Sequence, residues 1–185
     1  MIKNICVFGS YVTLKHDLID IVQIGETLAV NGYTIISGGF GGSMEQVSKG
    51  AKQGGGKTIG VTYYEFPDLI YHKANEFVDE EIITNSIFER IEKMMDLADA
   101  FLVFPGGTGT LFELASVIES VNKGLIEIKP IICFKNYWKL ISESLKAIKI
   151  TNKEFINRNG TKSVNELIYF VQSINELLKF LQNYK

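Results

Sequence analysis

The segment 105–113 reads Pro-Gly-Gly-Thr-Gly-Thr-Leu-Phe-Glu, and it restricts the fold more than any other part of the chain. It follows the apolar run 100–104 and leads into a helix-like stretch, 111–121. The pattern predicts a buried strand that ends in a glycine-rich turn and opens a helix. Such a turn directs free backbone N–H groups and the positive end of a helix dipole at one point, where an anion binds. Because glycine has no Cβ, the backbone can approach a phosphate closely.

The turn itself supplies the candidate phosphate-binding residues, which are Gly106, Gly107, Thr108, Gly109 and Thr110. The two threonines add hydroxyl donors to the backbone amides. Glu113 follows about one helical turn into the helix, beside the anion rather than on it. A carboxylate in that position is suited to acid–base chemistry on the rest of the ligand. The alternative interpretation is a tight strand–helix turn followed by a capping or solvated glutamate.

Apolar runs alternate with amphipathic stretches along the whole chain, and a hydrophobic content of 46% is enough for a sizeable core. Continuous apolar strands separated by helices predict a parallel sheet covered on both faces. We therefore predict one α/β domain over residues 1–185, a three-layer sandwich with about six or seven strands. The predicted strands are 5–8, 33–36, 58–61, 77–83, 100–104, 130–134 and 167–171; the predicted helices are 18–30, 44–53, 87–98, 111–121, 137–148 and 174–181, with a polar loop at 150–163.

Three turns of small residues follow predicted strands, at 9–10, 37–43 and 105–110. Because ligands of parallel sheets bind beyond the carboxyl ends of the strands, the three turns are expected at one edge of the sheet. Together they indicate a pocket the size of a nucleotide or a phosphosugar. The weaker candidates for ligand contacts in the first two turns are Ser10, Gly39, Gly41 and Ser43, although small polar residues in turns usually bond only to the backbone.

The overall charge and the remaining reactive residues exclude several classes of function. The formal net charge is −2 and the pI is near 5.8, which argues against a broad nucleic-acid surface. Cys6 and Cys133 lie in apolar runs and are predicted to be small buried hydrophobes, without metal-ligand spacing to His16 or His72. We predict no metal and no cofactor. No apolar stretch approaches about 18 residues and the start lacks a signal-peptide pattern, so a cytoplasmic protein without a membrane partner is expected.

Taken together, these motifs resemble the LONELY GUY family, whose older description is lysine decarboxylase. The family signature is Pro-Gly-Gly-x-Gly-Thr-x-x-Glu, which matches 105–113. The family also has an arginine on the preceding helix, a methionine four residues later and Ala-Asp-Ala before the central strand. These positions are Arg90, Met94 and 98–100 here, with the family's spacing. The resemblance covers about residues 3–181.

The resemblance implies a Rossmann-like sandwich, a homodimer, and cleavage of the N-glycosidic bond of nucleoside 5′-monophosphates. The products would be a free base and ribose 5-phosphate, and the best-known substrates of the family are cytokinin ribotides. The family's catalytic pair maps to Arg90 and Glu113, and Met94 is a candidate substrate contact. Arg90 offers a planar fork of donors for phosphate or ribose oxygens. Decarboxylation through pyridoxal phosphate is disfavoured because no lysine here has the sequence context of a Schiff-base residue.

Two functions from different classes stay open at the level of the sequence. The first is a nucleoside monophosphate phosphoribohydrolase, which the Arg90–Glu113 pair favours. The second is a non-catalytic carrier or sensor that binds a nucleotide or the molybdenum cofactor. A second turn that is one residue shorter than in many family members, and Phe112 in place of an acidic residue, favour the second.

The motif helix also carries the prediction of a homodimer. Its residues are apolar on nearly all sides, with Leu111, Phe112, Leu114, Ala115, Val117, Ile118 and Val121. A helix of this kind is buried on more than one side, by the core and by a partner. The alternative is that all of these side chains pack inside one large monomer core.

Overall fold

Seven parallel strands form the centre of the molecule in the computed structural model, which describes residues 2–12, 20–63, 73–160 and 163–184. The strands are β1 Asn4–Phe8, β2 Thr34–Ser37, β3 Thr58–Tyr63, β4 Glu80–Thr84, β5 Ala100–Val103, β6 Ile131–Phe134 and β7 Ile168–Val171. Their order in the sheet is β4-β3-β2-β1-β5-β6-β7, and every neighbouring pair is parallel. The predicted α/β class and parallel sheet are confirmed, with the strand count at the upper end of the prediction.

Helices cover both faces of the sheet. They are α1 Ile21–Val30, α2 Ser43–Gln53, α3 Ile87–Leu97, α4 Thr108–Lys123, α5 Lys139–Ser144, α6 Lys153–Asn159 and α7 Ile174–Asn183. The first core cluster joins one face of the sheet to α3 and α4 through residues such as Met94, Leu114 and Val117. The second joins the other face to α1, α2 and α7 through Leu28 and Val47, among others. This is the predicted Rossmann-like three-layer sandwich.

The central strands are apolar on both faces because helices cover each side of the sheet. Every residue of β5 and of β6 is buried, which explains why these strands appear in the sequence as unbroken apolar runs. Cys6 and Cys133 are both free and buried, as predicted. Burial raises the pKa of the Cys133 thiol to about 12, so this thiol stays neutral. His16 and His72 lie outside the described residues.

The connection from β4 to β5 places the candidate site in the fold. Strands β1 to β4 lie side by side in chain order, from the centre of the sheet to one edge. The chain then returns to the centre, where β5 pairs with the other side of β1. The segments that leave β1 and β5 therefore diverge and open a crevice at the carboxyl ends of these strands, where doubly wound sheets bind ligands. The three small-residue turns follow β1, β2 and β5, which are adjacent in the order β2-β1-β5. Their predicted location at one edge is confirmed.

The prediction of a polar loop at 150–163 is wrong, because this segment contains α6. The side chain of Asn152 caps the helix by accepting hydrogen bonds from the N–H groups of Glu154 and Phe155. Phe155 is buried in the first core cluster. Phe155 and the half-buried Ile156 are the two apolar residues of this seven-residue helix, and two adjacent residues give no helical periodicity in the sequence.

The helix predicted over 137–148 is shorter in the structure, where α5 covers Lys139–Ser144 and a 3-10 turn, Leu145–Ala147, follows it. The other boundary differences are small. The motif helix begins at Thr108 instead of Leu111, since Gly107 is already the N-cap. β4 begins at Glu80 instead of Phe77, because the carboxylate of Asp79 accepts from the N–H of Thr58 before the strand ladder starts. The predicted beginning of the first helix at 18 lies outside the described residues, and α1 is described from Ile21. Within the described residues, no helix is long and apolar enough to cross a membrane.

Asn152→Ala is expected to destabilise the protein by about 1–2 kcal/mol, the usual cost of losing a capping side chain. The substitution removes the cap of α6 and also the bond from Nδ2 of Asn152 to the carbonyl of Val121 in α4, 2.6 Å long. Thermal unfolding checks this, with a decrease of about 2–4 °C in Tm for each kcal/mol in a domain of this size. The matched control is Asn157→Ala, an exposed position on the same helix. Equal Tm values for the two variants would contradict the assignment.

Candidate active site

The glycine-rich turn after β5 forms an open cradle at the N-terminus of α4. The N–H of Leu111 makes the first helical hydrogen bond, to the carbonyl of Gly107. The amides that precede Leu111 in the helix have no intrahelical partner, as in the first turn of any helix. Gly107, Thr108 and Gly109 are exposed. A Cβ added to Gly107 or Gly109 would meet no atom within 4 Å, so both glycines face open space.

Gly106 and Thr110 differ from the other three cradle residues in their burial. Both are buried, and a Cβ on Gly106 would lie 2.1 Å from Oγ1 of Thr110. Glycine is required at 106 because the Thr110 side chain packs directly against its Cα. The five predicted phosphate-binding residues therefore divide into an open group of three and a buried pair that shapes the turn. Phosphate binding by these residues remains a prediction.

Arg90 and Glu113 meet in a buried ion pair. Arg90 lies in the first turn of α3 and Glu113 in the second turn of α4. Nη1 of Arg90 is 3.1 Å from Oε1 of Glu113, and the two side chains are only 7% and 9% exposed. The structure thus brings together the two residues that the family resemblance predicts as a catalytic pair.

The guanidinium of Arg90 is enclosed by groups from three other segments. Its Nε donates to the carbonyl of Val61 at 2.7 Å, and Nη2 lies 3.9 Å from the sulfur of Met44. The rings of Phe40 and Tyr63 have centroids 5.7 and 5.9 Å from Cζ, within the range of a cation–π contact. These contacts fix the guanidinium, and with it the position of the Glu113 carboxylate.

Gly38 makes room for this arrangement. A Cβ at position 38 would lie 1.5 Å from Nη2 of Arg90, so no larger residue fits beneath the guanidinium. The glycine-rich second turn thus accommodates an arginine side chain as well as shaping the edge of the crevice. Nε, Nη1 and Nη2 of Arg90 each donate to a protein group. Direct contact between Arg90 and a ligand remains a prediction.

The ionisation of Glu113 reflects a balance between burial and its partner. Burial raises the pKa of the Glu113 carboxyl above its ordinary 4.5, and the charge and hydrogen bond of Arg90 oppose that shift. The sign of the net effect follows from linkage. A carboxyl whose pKa is higher in the folded than in the unfolded state stabilises the fold below pH 4.5 and loses that contribution as the pH rises through the folded-state pKa.

We therefore expect the stability of the wild type, measured relative to Glu113→Gln, to decrease as the pH rises from about 4 to about 8. Thermal unfolding of both proteins across this range checks the sign. The control is Glu119→Gln, a largely exposed position on the same helix. If the stability of the wild type relative to Glu113→Gln instead increased with pH, the attraction of Arg90 would outweigh the effect of burial.

Comparison with known proteins places this site in a family. The family described as "Possible lysine decarboxylase" matches residues 44–181. A cytokinin riboside 5′-monophosphate phosphoribohydrolase of Arabidopsis thaliana is 31% identical over 189 residues, 98% of this chain and 82% of that protein. The chain belongs to the LONELY GUY family. The protein of the same name from Mycobacterium marinum is 38% identical over 97 residues, 51% of this chain. The chain matches about half the length of its mycobacterial relatives.

Solved structures with the same fold include proteins that bind the molybdenum cofactor. The molybdenum cofactor binding protein of Rippkaea orientalis superposes with a TM-score of 0.69 at 25% identity, over 98% of this chain and 96% of that one. The molybdenum cofactor carrier protein of Chlamydomonas reinhardtii has a TM-score of 0.69 at 20% identity, over 98% and 97% of the two chains. At this identity the second likeness shows the fold alone.

The weaker ligand candidates of this LONELY GUY protein lie around the same crevice, and most are buried. The hydroxyl of Ser43 donates to the carbonyl of Ser10, and the hydroxyl of Ser10 accepts from the N–H of Val12. The two serines thus join the first turn to the second. Gly39 and Gly41 are buried in that second turn. Contacts of these four residues with a ligand remain predictions.

Met94 lies one helical turn after Arg90 and is fully buried in the first core cluster. Its neighbours in that cluster include Cys6, Phe8 and Val61. Met94 therefore lies in the core, one turn along α3 from the arginine of the ion pair. Contact between Met94 and a substrate stays a prediction.

Sequence reasoning missed the aromatic residues that support the site. Phe40 and Tyr63 flank Arg90. Tyr137 and Trp138 reach the cradle from the segment after β6, where Oη of Tyr137 donates to the carbonyl of Gly106. A signal was present in the sequence, because Tyr137 and Trp138 follow a buried strand and thus belong to the same edge of the sheet as the cradle.

Proposed function

We propose that the protein hydrolyses the N-glycosidic bond of nucleoside 5′-monophosphates, releasing a free base and ribose 5-phosphate. The observation that carries the proposal is the position of the buried Arg90–Glu113 pair beside the open amides of α4. Glu113 is five residues beyond Thr108, about 7.5 Å along the helix axis at a rise of about 1.5 Å per residue. That separation is comparable to the distance between the phosphate and the anomeric carbon of a ribose 5-phosphate.

Each part of the site then has a chemical role. The exposed amides of Gly107, Thr108 and Gly109 bind the phosphate, and this contact holds the ribose against Glu113. Breaking the bond between C1′ and the base builds positive charge on the sugar ring, as in glycoside hydrolysis. The Glu113 carboxylate stabilises that charge and orients a water molecule, which adds to C1′. The water proton passes by way of the carboxylate to the departing base.

Arg90 supports this chemistry through Glu113. Its fixed positive charge favours the ionised carboxylate against the cost of burial. Its bond to the carbonyl of Val61 and the rings of Phe40 and Tyr63 prevent the guanidinium from moving away. Arg90 therefore keeps the carboxylate oriented and opposes the rise of its pKa that burial causes.

The deciding experiment is an assay for free base released from AMP, GMP, CMP, UMP and cytokinin ribotides. The names of the relatives support cytokinin riboside 5′-monophosphates as one substrate class. Nucleosides should react poorly, since they lack the phosphate that binds the cradle, and poor turnover of nucleoside triphosphates is expected as well. Release of base from no monophosphate would reject the hydrolase.

The second candidate is a carrier of a phosphate-bearing heterocycle without turnover. It is favoured by the likeness to the Rippkaea orientalis protein, which is 25% identical over nearly the whole of both chains. The cradle would bind the phosphate in this case too. Tight binding of a monophosphate, measured by calorimetry, together with no release of base would favour the carrier.

We also propose a homodimer, supported by apolar surface on α3 and α4. The rings of Phe88 and Phe112 contact each other with centroids 5.8 Å apart, yet they are 71% and 36% exposed. Leu114 and Val117 of the same helix are in the core, so Phe112 faces away from it. A second copy would cover this aromatic pair. Light scattering at micromolar concentration should give a dimeric mass, and Phe112→Asp should lower it towards the monomer.

A further inference from the structure

Two aromatic side chains from one loop bond to the two carbonyls that flank Pro105. Oη of Tyr137 donates to the carbonyl of Gly106 at 3.0 Å, and Nε1 of Trp138 donates to the carbonyl of Phe104 at 2.9 Å. Both side chains come from the segment between β6 and α5, which is adjacent to the cradle because β6 pairs with β5. The cradle is thus held from outside its own strand–turn–helix unit.

The bond to Gly106 has a geometric consequence for the cradle. A peptide group is planar and trans, so the carbonyl of Gly106 and the N–H of Gly107 point in opposite directions. When Tyr137 holds that carbonyl on its own side of the loop, the amide of Gly107 is directed to the other side. This amide lies at the N-cap of α4 and is the first in the row of cradle amides.

The peptide between Gly106 and Gly107 needs such an external restraint. Both of its residues are glycines, which rotate more freely than any other residue. Pro105 supplies no N–H with which the turn could fix itself. The packing of Thr110 against Gly106 fixes the Cα position of the turn, whereas the hydrogen bond from Tyr137 fixes the orientation of the peptide plane.

We propose that Tyr137 is a positioning residue that orients the Gly106–Gly107 peptide and thereby aims the first amide of the cradle at the ligand phosphate. This inference rests on the proposed function, since it assumes that a phosphate ester occupies the cradle. Tyr137 and Trp138 have separable roles. Trp138 is buried in the core, whereas Tyr137 is 46% exposed, so its hydroxyl can be removed without opening a cavity.

The test is Tyr137→Phe, which deletes the hydroxyl and keeps the ring that packs edge-on against Trp138 at 4.9 Å. The Kd for AMP and for ribose 5-phosphate, measured by calorimetry, should increase about 5- to 10-fold, the effect of one net hydrogen bond. In turnover assays KM for the monophosphate should increase by the same factor with kcat nearly unchanged. Cleavage of the matching nucleoside, which has no phosphate, should not change.

The control is Tyr169→Phe, which removes a hydroxyl from the aromatic cluster of β7 and α7, away from the crevice. It should leave the Kd values at the wild-type level. An unchanged Kd in Tyr137→Phe, or equal losses for the nucleoside and its monophosphate, would overturn the inference. Binding of AMP by a wild type that releases no base would reject the hydrolase and still leave the Kd comparison decisive. No binding of any phosphate ester by the wild type would overturn the cradle and this inference together.

Discussion

Glu113→Gln is expected to lower kcat for nucleoside monophosphates by about 10²–10³-fold, the typical cost of losing one electrostatic partner of a transition state. Glutamine has nearly the same shape as glutamate, and its amide oxygen can still accept from Nη1 of Arg90, as Oε1 of Glu113 does now. The change removes the negative charge that stabilises the ribosyl cation and, with it, the carboxylate that passes the water proton to the departing base. The measurement is the rate of base release at saturating substrate.

Binding measurements separate this effect from a loss of structure. The Kd for ribose 5-phosphate should stay close to the wild-type value in Glu113→Gln, because the cradle amides are untouched. Glu119→Gln lies on the same helix with an exposed side chain and should retain full turnover. Wild-type kcat in Glu113→Gln would reject the proposed role of the carboxylate.

Arg90 gives a less selective test than Glu113. Its guanidinium contacts the carbonyl of Val61, the sulfur of Met44 and the rings of Phe40 and Tyr63 as well as the carboxylate. Removing it leaves a cavity and a buried carboxylate without a partner, which is costly for stability. A loss of activity in Arg90→Ala would therefore mix chemistry with unfolding.

The sequence predicted those features that depend on residues close together in the chain. The apolar run 100–104 and the segment 105–113 that follows it indicated a strand, a turn and the start of a helix, and the structure has all three. Continuous apolar runs predicted the parallel sheet, because strands covered on both faces carry no alternation. The pairing of Arg90 with Glu113 spans 23 residues, and only the family resemblance suggested it.

The missed features depend on contacts between distant segments. Tyr137 bonds to a carbonyl 31 residues away, and neither residue type indicates that contact. Gly38 resembles any turn glycine in the sequence, whereas in the structure it leaves room for Arg90. The helix α6 depends on one cap and on two adjacent apolar residues, Phe155 and Ile156, which is too weak a local signal. Tertiary contacts determine all three, and the sequence indicated only that Tyr137 lies at the same edge of the sheet as the cradle.

Gly107→Asp is expected to weaken the binding of nucleoside monophosphates by about 10²-fold or more. Two like charges about 5 Å apart repel by about 3 kcal/mol at an effective dielectric constant near 20, which corresponds to about 10²-fold in Kd. The fold should tolerate the change, because a Cβ at 107 meets no atom within 4 Å and the φ of −91° suits any residue. Calorimetry with AMP and ribose 5-phosphate measures the loss, and thermal unfolding verifies the fold.

Gly107→Asn is the matched control, since asparagine has the shape of aspartate without its charge. The loss in Gly107→Asn measures the added bulk, and the further loss in Gly107→Asp measures repulsion of the bound anion. The difference in Kd between Gly107→Asp and Gly107→Asn should decrease as salt is added, because exposed charges are screened. Equal Kd values for the two variants would show that no phosphate lies beside Gly107. A wild-type Kd in Gly107→Asp with the fold intact would place the anion outside the glycine-rich turn, and Glu113 would then lose the contact that holds the ribose against it.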